Sequence, residues 1–254
     1  VTEVLDWQEF KSLQLAFLRS STPDLEIPTD HAISAALMRV ARNHRIKFIL
    51  GGSNVASEGI MPAAWSQGIR DYRYISSVNK QFGTRSLDTF PHFTYYQFAY
   101  YKLRGQRWID ILNYVPYEKS RAMDILVNEY GWEPYSTKHG ESIYTRFFQN
   151  YYLTTKFGAD KRRGHLSSLI CSGQLDRASA LVILDNPIAP EEEISADIDY
   201  VRKKFELSES EFRDLMCKPQ KSMRDFPNYE RTALFRIAQY VYRMGRNLGF
   251  RRRS

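Results

Sequence analysis

Residues 47–59, Lys-Phe-Ile-Leu-Gly-Gly-Ser-Asn-Val-Ala-Ser-Glu-Gly, concentrate groups that can do chemistry. A short apolar run reads as a buried strand. Two glycines then let the backbone turn and approach a ligand with no Cβ in the way. A hydroxyl, a carboxamide and a carboxylate follow at Ser53, Asn54 and Glu58. This composition suits a phosphate or metal-phosphate loop at the carboxyl end of a parallel strand, where open α/β sheets bind ligands. It is neither G-x-x-x-x-G-K-[ST] nor G-x-G-x-x-G. A glycine-rich turn closed by a polar helix cap accounts for the same residues, and both readings stand on the sequence.

Two further stretches are dense in functional groups. Lys156 to Ser168 holds Lys156, Lys161, Arg162 and Arg163, the last three consecutive and just ahead of an expected helix. Cations there suit an anionic ligand such as a diphosphate, and a solvated basic loop is the competing reading. Lys138 to Phe148 packs Lys138, His139, Glu141, Tyr144 and Arg146 near the start of one helix, where Glu141, Thr145 and Arg146 can share a face with Gln149. Asp71, Tyr72 and Arg73 follow Gly68 and can line the same cleft. The five histidines and two cysteines have no metal-ligand spacing, so a zinc site from this chain alone is not expected. The absence of G-x-S-x-G argues against a serine hydrolase of the common type.

The elements that must position these residues are mostly helical. Apolar positions 7, 10, 13, 14, 17 and 18 predict a helix over Trp7–Ser20, ended by Ser21-Thr22-Pro23-Asp24. Asp30 is expected to cap a helix from His31 to His44 with an apolar stripe Ile33, Leu37, Val40. The strand Lys47–Leu50 and the glycine loop complete one α/β repeat. Further helices are expected over Tyr72–Phe82, Phe93–Leu103, Tyr117–Tyr130, Glu141–Phe157, His165–Ser172, Asp176–Leu184, Ile194–Phe205, Ser208–Cys217 and Tyr229–Met244. Phe93–Leu103 is aromatic on nearly every side and is expected to be buried or at an interface. Trp108–Val115 reads as a short strand or a helical turn. Ser208 with Glu211 forms a capping box. One strand is not a sheet, so the chain reads as the back of an α/β domain (1–115), a helical domain (116–217) and a basic helix and tail (218–254).

With 43% hydrophobic and 26% charged residues, the composition is that of an ordinary globular protein. No apolar run is long enough to cross a membrane. The first residues lack a signal peptide and an initiator Met, so a fragment or processed piece is expected. Cys171 and Cys217 cannot build a disulfide framework and fit a reduced, cytoplasmic protein. The net charge of +7 is concentrated: 218–254 carry ten Lys/Arg and two Asp/Glu, leaving the rest of the chain at −1. A solvated tail is expected, with RNA or an anionic membrane as the lesser reading.

Residues 5–217 resemble the N-acetyl sugar amidotransferases of bacterial surface-polysaccharide biosynthesis. The matching text is LDWQEFK (5–11), PTDHAI (28–33), GGSNVASEGI (51–60), KHGESIYTRFFQ (138–149) and TKFGADKRRGHLSSLICSGQLDR (155–177). The resemblance implies an α/β fold, the C-terminal part of a Rossmann-like adenine nucleotide alpha hydrolase (PP-loop) domain followed by a mostly helical domain. It implies conversion of an acetamido to an acetamidino group on a nucleotide-activated sugar, with ATP, Mg²⁺ and ammonia, in lipopolysaccharide O-antigen or related glycan synthesis. In the wider superfamily Gly52–Glu58 is similar to the G-T-x-x-x-x-E loop of NAD synthetases. This makes Glu58 a candidate Mg²⁺ ligand and Gly52, Ser53 and Asn54 candidate cofactor contacts. Lys156, Lys161, Arg162 and Arg163 would neutralise pyrophosphate or the sugar nucleotide's diphosphate. Tyr72, His139, Glu141, Tyr144 and Arg146 would contact substrate, with Tyr72 or Tyr144 stacking on uracil or sugar. Ammonia would come from a partner similar to the glutaminase and cyclase subunits of histidine biosynthesis. The family's cysteine-rich start and S-G-G-x-D-S loop do not occur in this sequence, so a truncated, split or degenerate homologue is expected. Two alternatives compete. One is a non-catalytic or split-subunit homologue binding sugar nucleotide or a partner. The other is a PP-loop enzyme acting on tRNA, against which the neutral body and the lack of C-x-x-C count.

Overall fold

A computed structural model describes residues 1–134, 140–233 and 235–237. The chain is α/β with helices dominant. Among the described residues two strands, β1 (Phe48–Gly51) and β2 (Arg107–Asp110), pair in parallel, Phe48 opposite Arg107 and Gly51 opposite Asp110. Around them run α1 (Trp7–Ser20), α2 (Ile27–Asn43), α3 (Val55–Glu58), α4 (Tyr72–Phe82), α5 (Tyr95–Leu103) and α6 (Lys119–Tyr130). After residue 140 come α7 (Ile143–Arg146), a π-helix (Phe147–Tyr152), α8 (Leu153–Phe157), α9 (Arg162–Cys171), α10 (Arg177–Asp185), α11 (Glu191–Phe205) and α12 (Glu209–Cys217).

The main core draws on the whole chain. Leu13, Phe17 and Leu18 of α1 meet Tyr74, Ile75 and Val78 of α4. Phe147, Phe148 and Tyr152 of the π-helix join Val201, Phe205, Phe212 and Phe226 in the same cluster. At about 1.5–3 kcal/mol for each large apolar side chain taken from water, this is the principal source of stability. The strand pair has a smaller cluster, in which Ile49 packs beside Ala35, Met38 and Phe93. Its other face is bare, with Phe48 55% and Leu50 66% exposed.

Local expectations hold where capping and periodicity are strong. Helices occupy Trp7–Ser20 and Tyr72–Phe82 as expected, α6 ends at Gly131 in the left-handed region (φ 64°), and Ser208 and Glu211 form their capping box. Residues 107–114 satisfy both readings, a strand followed by a 3₁₀ turn at Ile111–Tyr114. Three expectations are corrected. Asp30 does not cap α2: the helix starts at Ile27, with Pro28 in its first turn and Glu26 at the capping position without a side-chain cap bond. Proline's fixed φ starts the helix one turn early. For the aromatic helix α5 the burial half of its reading is corrected: none of its residues is buried, and Tyr96 and Tyr100 are more than half exposed. The expected helix at Glu141–Phe157 begins at Ile143, after the Ser142 cap, and is interrupted by the π-helix. Of the expected Tyr229–Met244 helix, residues 229–231 form a 3₁₀ turn; most of the remainder lies outside the described residues.

Candidate functional site

The glycine loop sits at the carboxyl ends of the two parallel strands. At Gly51 a Cβ would fall 2.4 Å from Asp110 Oδ1 and 2.5 Å from Trp108 Nε1, so these two β2 side chains would have to shift to admit any larger residue there. Gly52 faces open space and Ser53 is exposed. Asn54 is buried and caps α3: its Oδ1 accepts from Ser57 N at 2.8 Å and from the Ser57 hydroxyl at 3.0 Å. The polar-cap reading therefore accounts for the Asn54 side chain. The Val55 amide donates to Asn113 Oδ1 at 2.8 Å, tying the loop to the turn after β2.

Helix α9 underpins this loop. The Ser172 hydroxyl donates to the Ala56 carbonyl at 2.9 Å, and the Ile60 amide donates to Ser168 Oγ at 2.9 Å. A Cβ at Gly164 would fall 2.6 Å from the Ile60 carbonyl oxygen, so a glycine in α9 allows the 59–61 backbone to lie against it. A cavity of about 440 Å³ opens between α3, the 112–117 segment and the end of α9. Glu58 is half-buried, and its charge adds to burial in raising the Tyr117 phenol above its ordinary pKa. Among the described residues no group of three or more His, Cys, Asp or Glu is placed to hold a metal ion. Magnesium bound by one carboxylate and substrate phosphates needs no such cage.

A second locus gathers around Glu26, at the start of α2. The Thr145 hydroxyl donates to Glu26 Oε1 at 2.6 Å, Gln149 Nε2 reaches Oε2 at 3.5 Å, and Lys161 Nζ stands 3.9 Å from Oε2. Lys161 also lies over the Phe148 ring, 4.6 Å from its centroid. The Glu26 amide donates to Asp24 Oδ1 at 3.0 Å, and the Ser66 side chain hydrogen-bonds the same carboxyl group. The Tyr144 hydroxyl is buried towards Glu26 and Asp24 with no hydrogen-bond partner among the described residues. Burial raises Asp24. Asp30 is pushed up to about 7 by burial, then by Glu26 and Asp24, with Lys161 pulling it back. A carboxyl poised there can give or take a proton at neutral pH. The π-helix that presents Gln149 is a geometry found frequently at functional sites.

The candidate residues thus divide. Tyr144 and Lys161 converge on Glu26. Gly52 and Ser53 remain open at the strand ends. Lys156 is buried and donates to the Leu215 carbonyl in the last turn of α12, with burial lowering it to about 8; it anchors a helix end. Arg162 pairs with Asp160 at 2.9 Å and donates to the carbonyls of Ile183 and Asn186. Arg163 is exposed. Arg146 makes a two-pronged pair with Asp197 at 2.6 and 3.0 Å and donates to the Gly140 carbonyl. Tyr72 stacks on His92, centroids 3.9 Å apart. Glu141 is exposed, and His139 lies outside the described residues. Asp24, Glu26, Ser66, Asp110 and Asn113 were not singled out from sequence. The one signal was three acids at 24, 26 and 30.

The geometry defines an α/β strand pair carrying a glycine loop, buttressed by a helical C-terminal region. Residues 141–242 of that region match the family described as LPS biosynthesis protein WbpG-like, C-terminal domain. The match supports the resemblance to the C-terminal part of the N-acetyl sugar amidotransferase family in lipopolysaccharide biosynthesis. No curated protein and no solved structure matches the chain. Among the described residues no helix is long and apolar enough to cross a membrane.

Proposed function

We propose that this chain is the C-terminal, substrate-side part of an ATP-dependent amidotransferase that converts the acetamido group of a nucleotide-activated sugar to an acetamidino group. The supporting observation is the WbpG-like match over 141–242, a stretch whose α9 packs directly beneath the glycine loop. On this reading the strand pair belongs to a PP-loop domain of Rossmann type, and the reaction serves O-antigen or related surface-glycan synthesis in the cytoplasm.

An acetamide carbon is a poor electrophile. ATP supplies adenylylation of its oxygen with loss of pyrophosphate; ammonia then adds at the carbon, AMP leaves with the oxygen, and the amidine carries away the nitrogen. Of this chain's groups, the open Gly52–Ser53 backbone would receive phosphate oxygens, and Glu58 would hold Mg²⁺. Lys161 and Arg163 would offset negative charge nearby. Asp30 would accept a proton released as the nitrogen is added. The ammonia would come from a glutaminase partner similar to that of histidine biosynthesis. A second reading, a homologue that binds sugar nucleotide without ATP chemistry, is favoured by the internal engagement of Lys156, Arg162 and Arg146.

The test is AMP formation from Mg-ATP when the protein is combined with a polypeptide carrying the family's S-G-G-x-D-S half. The expected result is AMP that appears only when both ammonia and a uridine-diphosphate N-acetyl sugar are added. AMP that ignores either co-substrate, or none at all, overturns the reading.

A further inference from the structure

We propose that the amino-terminal end of the strand pair docks on an anionic lipid bilayer through two basic turns with apolar tips. This stands independently of the amidotransferase reading. Each strand is entered through the same kind of turn. Helix α2 closes with Arg45 N donating to the Arg42 carbonyl at 3.1 Å and Ile46 N to the Ala41 carbonyl at 2.7 Å. Helix α5 closes with Gly105 N donating to the Lys102 carbonyl and Gln106 N to the Tyr101 carbonyl, both at 3.1 Å. Such a helix end needs a left-handed residue, ordinarily glycine. Gly105 supplies it after α5 (φ 83°), but Arg45 stands there after α2 (φ 57°), against the steric preference of a residue with a Cβ. The Arg107 amide donates to the Lys47 carbonyl at 2.7 Å and the strands are parallel, so the two turns lie side by side at one end of the sheet.

The charge of this end is unbalanced. Residues 40–50 and 95–109 hold six Lys/Arg and no Asp or Glu. Arg42 lies 6.0 Å from the Tyr101 ring centroid and Lys102 4.9 Å from that of Phe98, and both suit the carboxyl ends of the helices they occupy. Arg45, Lys47, Arg104 and Arg107 are exposed and make no ion pair among the described residues. Aliphatic side chains project among them: Leu103 is 86% exposed and Ile46 47%, with exposed Phe48 at the start of β1. A bilayer surface takes both features at once. Apolar tips enter the interface while the guanidinium and ammonium groups reach headgroup phosphates. Stacking on RNA bases would use aromatic faces and leave Leu103 and Ile46 without a role. The glycine loop is at the opposite, carboxyl ends of the strands and faces away from a membrane met by this end.

The 218–254 tail is also basic, so the informative readout is insertion of the turn itself rather than binding of the chain. In the full chain carrying Leu103→Cys, Cys171→Ser and Cys217→Ser, the sole thiol, at position 103, is labelled with the environment-sensitive fluorophore NBD. Phosphatidylglycerol vesicles should shift its emission to the blue, and phosphatidylcholine vesicles at the same lipid concentration should not. NBD on Cys171, exposed beside α3, in the chain carrying only Cys217→Ser should not shift with either lipid. Adding Arg45→Gly and Lys47→Gln to the chain labelled at 103 should raise the lipid concentration for half-maximal shift about thirtyfold. The thermal melt should be no lower, because glycine relaxes the left-handed position. No shift at position 103 with phosphatidylglycerol, equal shifts in the two lipids, or an equal shift at Cys171 would each overturn the proposal. So would a half-maximal concentration unmoved by the two substitutions in a chain that melts normally. A shift with tRNA as large as that with phosphatidylglycerol would assign the turns to nucleic acid and overturn it as well.

Discussion

Asp30 and His31 are neighbours with opposite proton behaviour. Asp30 is raised to about 7, so the folded state holds its proton over a range where the unfolded chain, near 4, has lost it. Its contribution is present at low pH and is lost as pH rises through 7. His31 is buried between Phe93 and the Ile69 carbonyl and lowered to about 4, chiefly by burial. Its contribution is present above about 6.5 and is lost as pH falls through 4. Asp30→Asn should therefore stabilise the chain by about 1–3 kcal/mol at pH 8 and leave it unchanged at pH 4, at about 1.4 kcal/mol per tenfold change in proton affinity. Urea unfolding at the two pH values checks this; equal effects at both would contradict it. Arg146→Met should cost about 3–5 kcal/mol by stranding the buried Asp197 carboxylate, and Asp197→Leu in the same chain should recover much of it, as a double-mutant cycle would show. Arg146 was visible in sequence as a chemical group, but its partner is 51 positions away and on another helix. Lys156 and Arg162 misled for the same reason. Composition reveals a cation and not the carbonyl or carboxylate that the fold brings to it.

At the scale of elements, caps and periodicity were legible and deviations from the regular α-helix were not. Asn54 illustrates the legible case, since an Asn two residues past a Gly pair is a strong helix cap and serves as one. Asn54→Ala should cost about 1 kcal/mol and Asn54→Asp much less; a thermal melt that ranks them otherwise would contradict the capping role. The π-helix was illegible because one extra residue per turn over six residues leaves the apolar pattern of a single helix intact. The early start of α2 was missed although Pro28 marks a first turn, because Asp30 is as good a cap by type as any; that its carboxyl instead joins Glu26 and Asp24 is decided by tertiary placement. The acidic half of the candidate site was missed with it, whereas the glycine pair followed by a polar cap was legible as the turn into α3.

For the molecule as a whole, the strand pair is the anomaly. Parallel sheets are ordinarily covered on both faces, yet Phe48 and Leu50 stand in solvent on one of them. The partner strand β2 was readable only as one of two options, because four residues carry little periodicity. If that face is no part of this chain's own core, Phe48→Lys with Leu50→Lys should change stability by less than about 1 kcal/mol and reduce self-association in light scattering. A loss comparable to that of a core substitution would contradict the assignment. The basic charge belongs to 218–254, and the remainder of the chain is close to neutral, so the proposed anionic substrate would have to be met by placed groups such as Lys161 and the loop backbone. The most direct test of the account follows a nitrogen atom. The protein, together with a polypeptide carrying the family's S-G-G-x-D-S half, is incubated with Mg-ATP, ¹⁵N-labelled ammonia and a uridine-diphosphate N-acetyl sugar, and the sugar nucleotide is examined by NMR and mass spectrometry. The account predicts ¹⁵N bonded to the former acetamido carbon in place of oxygen, with one AMP formed for each amidine; an unchanged acetamido group would contradict it.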